Sequence, residues 1–141
     1  LVSVYAMSSG DFEQEVQEWS DAAYDLARVA LRKGDLESAA DLADDYRDAV
    51  EVHNVRFETQ QSHELDAMIA TARNEMETAI GYLEHANQQD PQIWLLKARA
   101  YAAMGDAEGA RLACEHIINF NQLNFNLAYV RNRARELLET L

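Results

Sequence analysis

A glycine–aspartate pair set between two stretches of helical spacing is the feature that most restricts how this chain can fold. In PQIWLLKARAYAAMGDAEGARLACEHIINFN, residues 91–121, Ile93, Leu96, Ala100 and Met104 recur at helical intervals, with Trp94, Ala98 and Tyr101 as a second apolar line beside them. Gly105 can take the left-handed conformation that ends a helix, and Asp106 can cap the next one. The following helix carries Ala107, Ala110, Ala113, Cys114, Ile117 and Ile118. Its alanine-lined face allows a neighbouring helix to come close, as an antiparallel pair requires.

The same punctuation occurs at Gly34-Asp35. Before it, Phe12, Val16, Trp19, Ala23, Leu26 and Ala30 step by three or four residues and are the expected core of a first helix. After it, Leu36, Ala39, Leu42, Ala43, Tyr46 and Val50 line a second. Setting Gly34 on Gly105 places Ala27 on Ala98 and Ala39 on Ala110. A middle unit runs from His63, Leu65, Ala67, Ile69 and Ala70 into Ala79, Ile80, Leu83 and Ala86, with Pro91 closing it. There Asn74-Glu75 replaces Gly-Asp, and asparagine tolerates the left-handed conformation. The interval from Ala39 to Ala79 is 40 residues and that from Ala79 to Ala110 is 31, on either side of the roughly 34 of an ideal unit.

This pattern, with its aromatic–small–aromatic line Trp94, Ala98, Tyr101 and its Gly105 and Ala110, resembles the tetratricopeptide repeat over about residues 20–121. The segment SHELDAMIATARNEMETAIGYLEHANQQDP and the closing NFNQLNFNLAYVR are also similar to a subset of bacterial repeat proteins. Two positions depart from the family. Lys97 stands where a large apolar residue is usual, and the last unit lacks its terminal proline, with Gln122 near that place. The resemblance implies an all-α fold, a right-handed superhelical array of about three antiparallel helix pairs with a C-terminal capping helix.

Residues 1–10 are expected to be an N-terminal tail or the end of a preceding segment, and residues 11–141 a single repeat domain. Its units fall at about 11–55, 57–90 and 91–121, followed by a capping helix over 124–141. Leu127, Val130, Ala134, Leu137 and Leu138 share a face of that helix, while Arg131, Arg133 and Arg135 are expected to solvate it and complement its dipole. The apolar lead LVSVYAMSS suits the tail of a signal peptide, an extra helix or a flexible lead, so the compartment, cytoplasmic or periplasmic/secreted, stays open. The single Cys114 forbids an internal disulfide and is expected to be a buried, inert thiol.

A net charge of −13 opposes binding to nucleic acid or anionic membranes, and no apolar run of about 20 residues is present for a membrane span. Asp41, Asp44, Asp48 and Glu51, broadened by Glu37 and Asp45, form a stripe that is either a solvated face or a landing strip for a basic partner. His63-Glu64 begins a string like the zincin motif, but Ala67 holds the second histidine's place. His53, His63, His85 and His116 are scattered, and no CxxC, phosphate-cradling glycine loop or nucleophile elbow is present. No enzymatic activity, cofactor or metal is therefore expected.

Ligands of the tetratricopeptide family usually lie in a concave groove formed by the first helix of each pair. By the resemblance, the partner-binding residues are Tyr24, Arg28 and Leu31 in the first unit. Glu64, Met68 and Thr71 follow in the second, and Leu95, Arg99 and Ala102 in the third. This mixture suits an extended or helical peptide with aliphatic side chains and one carboxylate. By the resemblance, Tyr24, Arg28, Met68 and Leu95 fill places where part of the family clamps a chaperone tail, and only Arg99 retains a suitable cation, so that mode is not expected. The expected function is a protein–protein interaction module that binds a peptide or partner protein. The alternative is a structural or oligomerisation unit that self-associates through its terminal helices.

Overall fold

The computed structural model describes residues 9–121 and 124–141, with side chains from residue 18 onward. The expectations for the lead segment 1–8 and for Gln122 lie outside the described residues, as do the side chains of Phe12 and Val16. The described residues form seven α-helices and no strand: α1 (Ser9–Lys33), α2 (Leu36–His53), α3 (Arg56–Ala72), α4 (Met76–Leu83), α5 (Pro91–Ala103), α6 (Ala107–Ile118) and α7 (Leu127–Thr140). The fold is all-α.

The three turns nominated by the sequence share one geometry. Gly34, Asn74 and Gly105 adopt φ of 77°, 63° and 80°, the left-handed region open to glycine and tolerated by asparagine. Behind each, the next residue's N–H reaches back to the helix it leaves: Asp35 to the carbonyl of Ala30, Glu75 to Ala70, Asp106 to Tyr101. These bonds satisfy carbonyls that a helix end would otherwise leave unpaired. The Asp35 carboxylate then accepts from the Ser38 N–H at 3.1 Å, and Asp106 accepts from Gly109 at 2.9 Å. Glu75 makes no such cap bond. Asn54, at φ 52°, ends α2 with its own N–H donating to the Val50 carbonyl, a fourth left-handed residue that the periodicity does not single out.

Burial repeats along with the turns. Ala27, Ala67 and Ala98 before them, and Ala39, Ala79 and Ala110 after them, are all buried. The succession of buried, half-buried and exposed residues from 31 to 46 recurs position for position from 71 to 86. Small residues at both sites let the helices of each pair approach closely. Consecutive helices pack on one another throughout, and α1 also meets α3 while α5 also meets α7. Among the described residues, α3 and α5 make no comparable approach.

Three cores result. One joins α1, α2 and α3 around Tyr46, Val50, Leu65 and Ile69; another joins α5, α6 and α7 around Leu95, Cys114, Ile117 and Val130. A smaller one, Ala67, Leu83, Ala86 and Ile93, links them. Cys114 is fully buried, and burial pushes its thiol above the usual range, which makes it a poor nucleophile as expected.

The first helix departs from its expected phase. Trp19 and Leu26 are 49% and 54% exposed, whereas Ser20, Ala23, Ala27 and Ala30 are buried. Close packing of α1 against α2 and α3 selects its small-residue face and turns the bulky one to solvent. Met104, at the end of α5, is likewise exposed rather than core.

The middle pair is short because α4 stops at Leu83. The Gln88 side-chain amide donates to the carbonyls of Leu83 (2.7 Å) and Ala86 (2.9 Å), tying off the helix end. Lys97 donates to the Gln88 Oε1 at 2.6 Å and pairs with Glu84 at 3.5 Å, while the Trp94 indole N–H donates to the Gln88 carbonyl at 2.9 Å. Lys97 is only 3% exposed, with its ammonium 4.2 Å from the centre of the Trp94 ring. A lysine at this nominally apolar place is thus held by a carboxylate, an amide and an aromatic face.

Candidate functional site: a polar pocket between the two halves

Where α3 and α5 diverge, the surface opens into a pocket of about 210 Å³. Tyr24 and Arg28 of α1 form one wall, and Phe57, Gln60, Gln61 and Glu64 of α3 form another. Asn87 and Asp90 of the α4–α5 connection, Gln92 of α5 and Asn126 before α7 complete it. Asp90 is fixed by its role as N-cap, accepting from the Gln92 N–H at 2.9 Å just ahead of Pro91.

Of the residues expected to bind a partner, the structure brings together Tyr24, Arg28 and Glu64 in this pocket. Leu31 packs against the first core, and Met68 is half-buried on α3 outside the pocket lining. Arg99 is exposed on α5 and does not line it either. Leu95 is a core residue: it is 0% exposed and packs in one cluster with Val130 and Ala134 of α7, so it offers a partner no surface. The helix after the last pair covers the side of α5 that was expected to face the groove. Asp90, Gln60, Gln61, Asn87, Gln92, Phe57 and Asn126 were not singled out from the sequence. Only the Asp-Pro start of α5 carries a local signal, because the others converge through the divergence of α3 and α5.

The pocket's electrostatics centre on Glu64. Burial, reinforced by the neighbouring Asp90, raises its carboxyl from an ordinary 4.5 to about 7, against the opposing effects of Arg28 and a hydrogen bond with Tyr24. The Tyr24 phenol is pushed up to about 12, mainly by burial and then by Glu64. The Arg28 guanidinium sits 5.5 Å from the centre of the Tyr24 ring. Tyr46 donates to the Gln61 Oε1 at 2.9 Å, which anchors that amide to the core beneath.

Several other charged side chains form local pairs. The acidic stripe residues Asp41, Asp44, Asp48 and Glu51 are exposed on α2, with Asp44 bound to Arg47 at 3.0 Å. Arg47 also bridges to Asp66 of α3 at 2.7 Å. His53 pairs with Glu58 at 3.0 Å, His63 lies against His85 and Tyr82, and His116 stacks on Trp94 with ring centres 3.7 Å apart. Among the described residues, no group of three or more His, Cys, Asp or Glu side chains is arranged to hold a metal ion. On α7, Arg133 pairs with Glu136 and Arg135 bonds to Asn132, both exposed. Arg131 departs from its expected solvated role: it is half-buried and donates to the carbonyl of Phe120, fastening α7 to the end of α6. Among the described residues, no helix is long and apolar enough to cross a membrane.

No protein-family model, curated protein or solved structure matches the chain.

Proposed function

We propose that this chain is a protein-interaction module of the tetratricopeptide kind, a right-handed superhelical array of three helix pairs closed by α7, which holds an extended segment of a partner protein in the pocket between its halves. The observation that carries this is the meeting of Tyr24, Arg28 and Glu64, from two different pairs, in one concave site. Five amide side chains, Gln60, Gln61, Asn87, Gln92 and Asn126, line the same site. Each amide offers both a donor and an acceptor, which matches the alternating N–H and C=O groups of an extended peptide. The matched turns and their repeated burial favour the repeat architecture.

Selection from a random-peptide display library on the immobilised chain tests this. Enriched peptides should bind wild type and lose binding to Arg28→Ala/Gln60→Ala, with helical content by circular dichroism unchanged. If no peptide is enriched, or binding ignores the double substitution, the groove is not the binding surface.

A second reading, self-association through a terminal helix, is favoured by one observation. Trp19, Leu26 and Val29 form an exposed apolar stripe on α1. Under it, Leu26→Asp should lower the solution mass measured by light scattering. An unchanged monomeric mass in both proteins removes that reading.

A further inference from the structure

The chemistry of the pocket narrows the partner, provided that the peptide-groove reading holds. The volume of about 210 Å³ falls below the roughly 300–1,000 Å³ of pockets that enclose a drug-sized molecule. It suits a single long side chain. Two of its walls are aromatic, Tyr24 and the largely exposed Phe57, and both can cover a run of methylene groups.

The charge in the pocket is unbalanced. Glu64 and Asp90 both line it, Asp25 acts on the same Tyr24, and Arg28 is the one lining cation that opposes them. Arg28 is already engaged with the face of the Tyr24 ring. An incoming cation would therefore meet two carboxylates at a half-buried place, where attraction is screened less than on the open surface. The overall charge of −13 would steer the same kind of ligand toward the molecule.

We propose that the pocket seats one lysine or arginine side chain of an extended partner peptide, with its charged head between Glu64 and Asp90 and its stem against Tyr24 and Phe57. The flanking amides hold the peptide backbone on either side. A seated cation favours the ionised form of Glu64, so binding releases a proton and tightens as pH rises through the neutral range. The charged groups that face Glu64 in this exchange are Asp90 ahead of α5 and Arg28 on α1, with the Tyr24 phenol bonded to it and Asp25 acting on that phenol.

The test uses the peptides enriched from the display library, synthesised and titrated calorimetrically against the whole chain. They should share a lysine or arginine, and replacing it with norleucine, which keeps the stem, should weaken binding by about tenfold or more. Asp90→Asn, which retains an N-capping residue, and Glu64→Gln should weaken it comparably while circular dichroism stays constant. Binding to wild type should fall about tenfold from roughly pH 8 to pH 6, and the fall should vanish in Glu64→Gln. Enriched peptides that lack a basic residue, or that bind norleucine and lysine versions equally, would overturn the cation seat while leaving the peptide groove intact. If no peptide binds, both proposals fall together.

Discussion

The first helices of the three pairs can be laid on one another by their turns, and the same register then carries opposite chemistry. Leu26 of α1 is exposed, whereas its counterparts Asp66 and Lys97 are drawn inward and paired, Asp66 with Arg47 and Lys97 with Glu84 and Gln88. Val29 is 43% exposed, while its counterpart Ile69 is 5% exposed. The difference lies in the neighbours. Helices α3 and α5 each have a preceding helix, α2 or α4, against that face, whereas among the described residues α1 packs chiefly on α2 and α3, through its opposite face. Burial here follows place in the stack more than residue type, and charged groups that come inside are held by partners.

The comparison yields substitutions whose effects can be ordered. Ile69→Ala should cost about 2–5 kcal/mol in urea unfolding, as for a large side chain deleted from a packed core. A cost equal to that of Val29→Ala would break the comparison. Next is Glu64, which shares its register with the half-buried Tyr24 and the core Leu95. Its folded value near 7 lies above the ordinary 4.5, so the folded state keeps a proton that the unfolded chain releases. Stability conferred by the neutral carboxyl is full at low pH and is lost as pH rises from the lower value through the upper. Glu64→Gln should therefore match wild type near pH 4 and exceed it by on the order of 2–3 kcal/mol near pH 8. Equal stability of the two proteins at both pH values would show that Glu64 is not desolvated.

Lys97→Ala should cost about 1–3 kcal/mol, because the Gln88 acceptor loses its donor and the Trp94 face its covering stem. Its cost should shrink in a Gln88→Ala background, a coupling measurable by a double-mutant cycle. Smallest of all, Leu26→Ala and Val29→Ala should each stay within about 0.5 kcal/mol in the monomer. A loss of several times that would mean the outer face of α1 is covered in solution.

What the sequence disclosed was local. Gly34, Asn74 and Gly105 announce their turns because a left-handed residue depends on its own side chain, and the small residues Ala39, Ala79 and Ala110 announce the close contacts. The phase of α1 is not legible locally, because Trp19 and Leu26 have the right spacing and hydrophobicity for a core, and only packing against α2 and α3 decides which face is used. The buried Lys97 was visible as a departure from a repeat pattern, but its partners Glu84 and Gln88 come from the end of another helix. Likewise Tyr24, Arg28 and Glu64 could be placed on inner faces, whereas Asp90 joins them only through the short α4 and the connection that follows. Leu95 falls on the groove face by register, and its covering by α7 is a long-range event that register does not carry.

The small core of Ala67, Leu83, Ala86 and Ile93 has a mechanical consequence. In a chain whose helices pack mainly on their sequence neighbours, cooperativity passes from one interface to the next, and the weakest interface decides whether the molecule opens in one step or two. Here the fully buried part of that junction is two alanines and two larger aliphatic side chains, flanked by the partly buried Tyr82 and Leu96, under a helix of 8 residues. The pocket straddles the same junction, with Tyr24 and Glu64 on one side and Gln92 and Asn126 on the other. A segment bound there would span the joint like a splint, and the two ends of the protein would open as one.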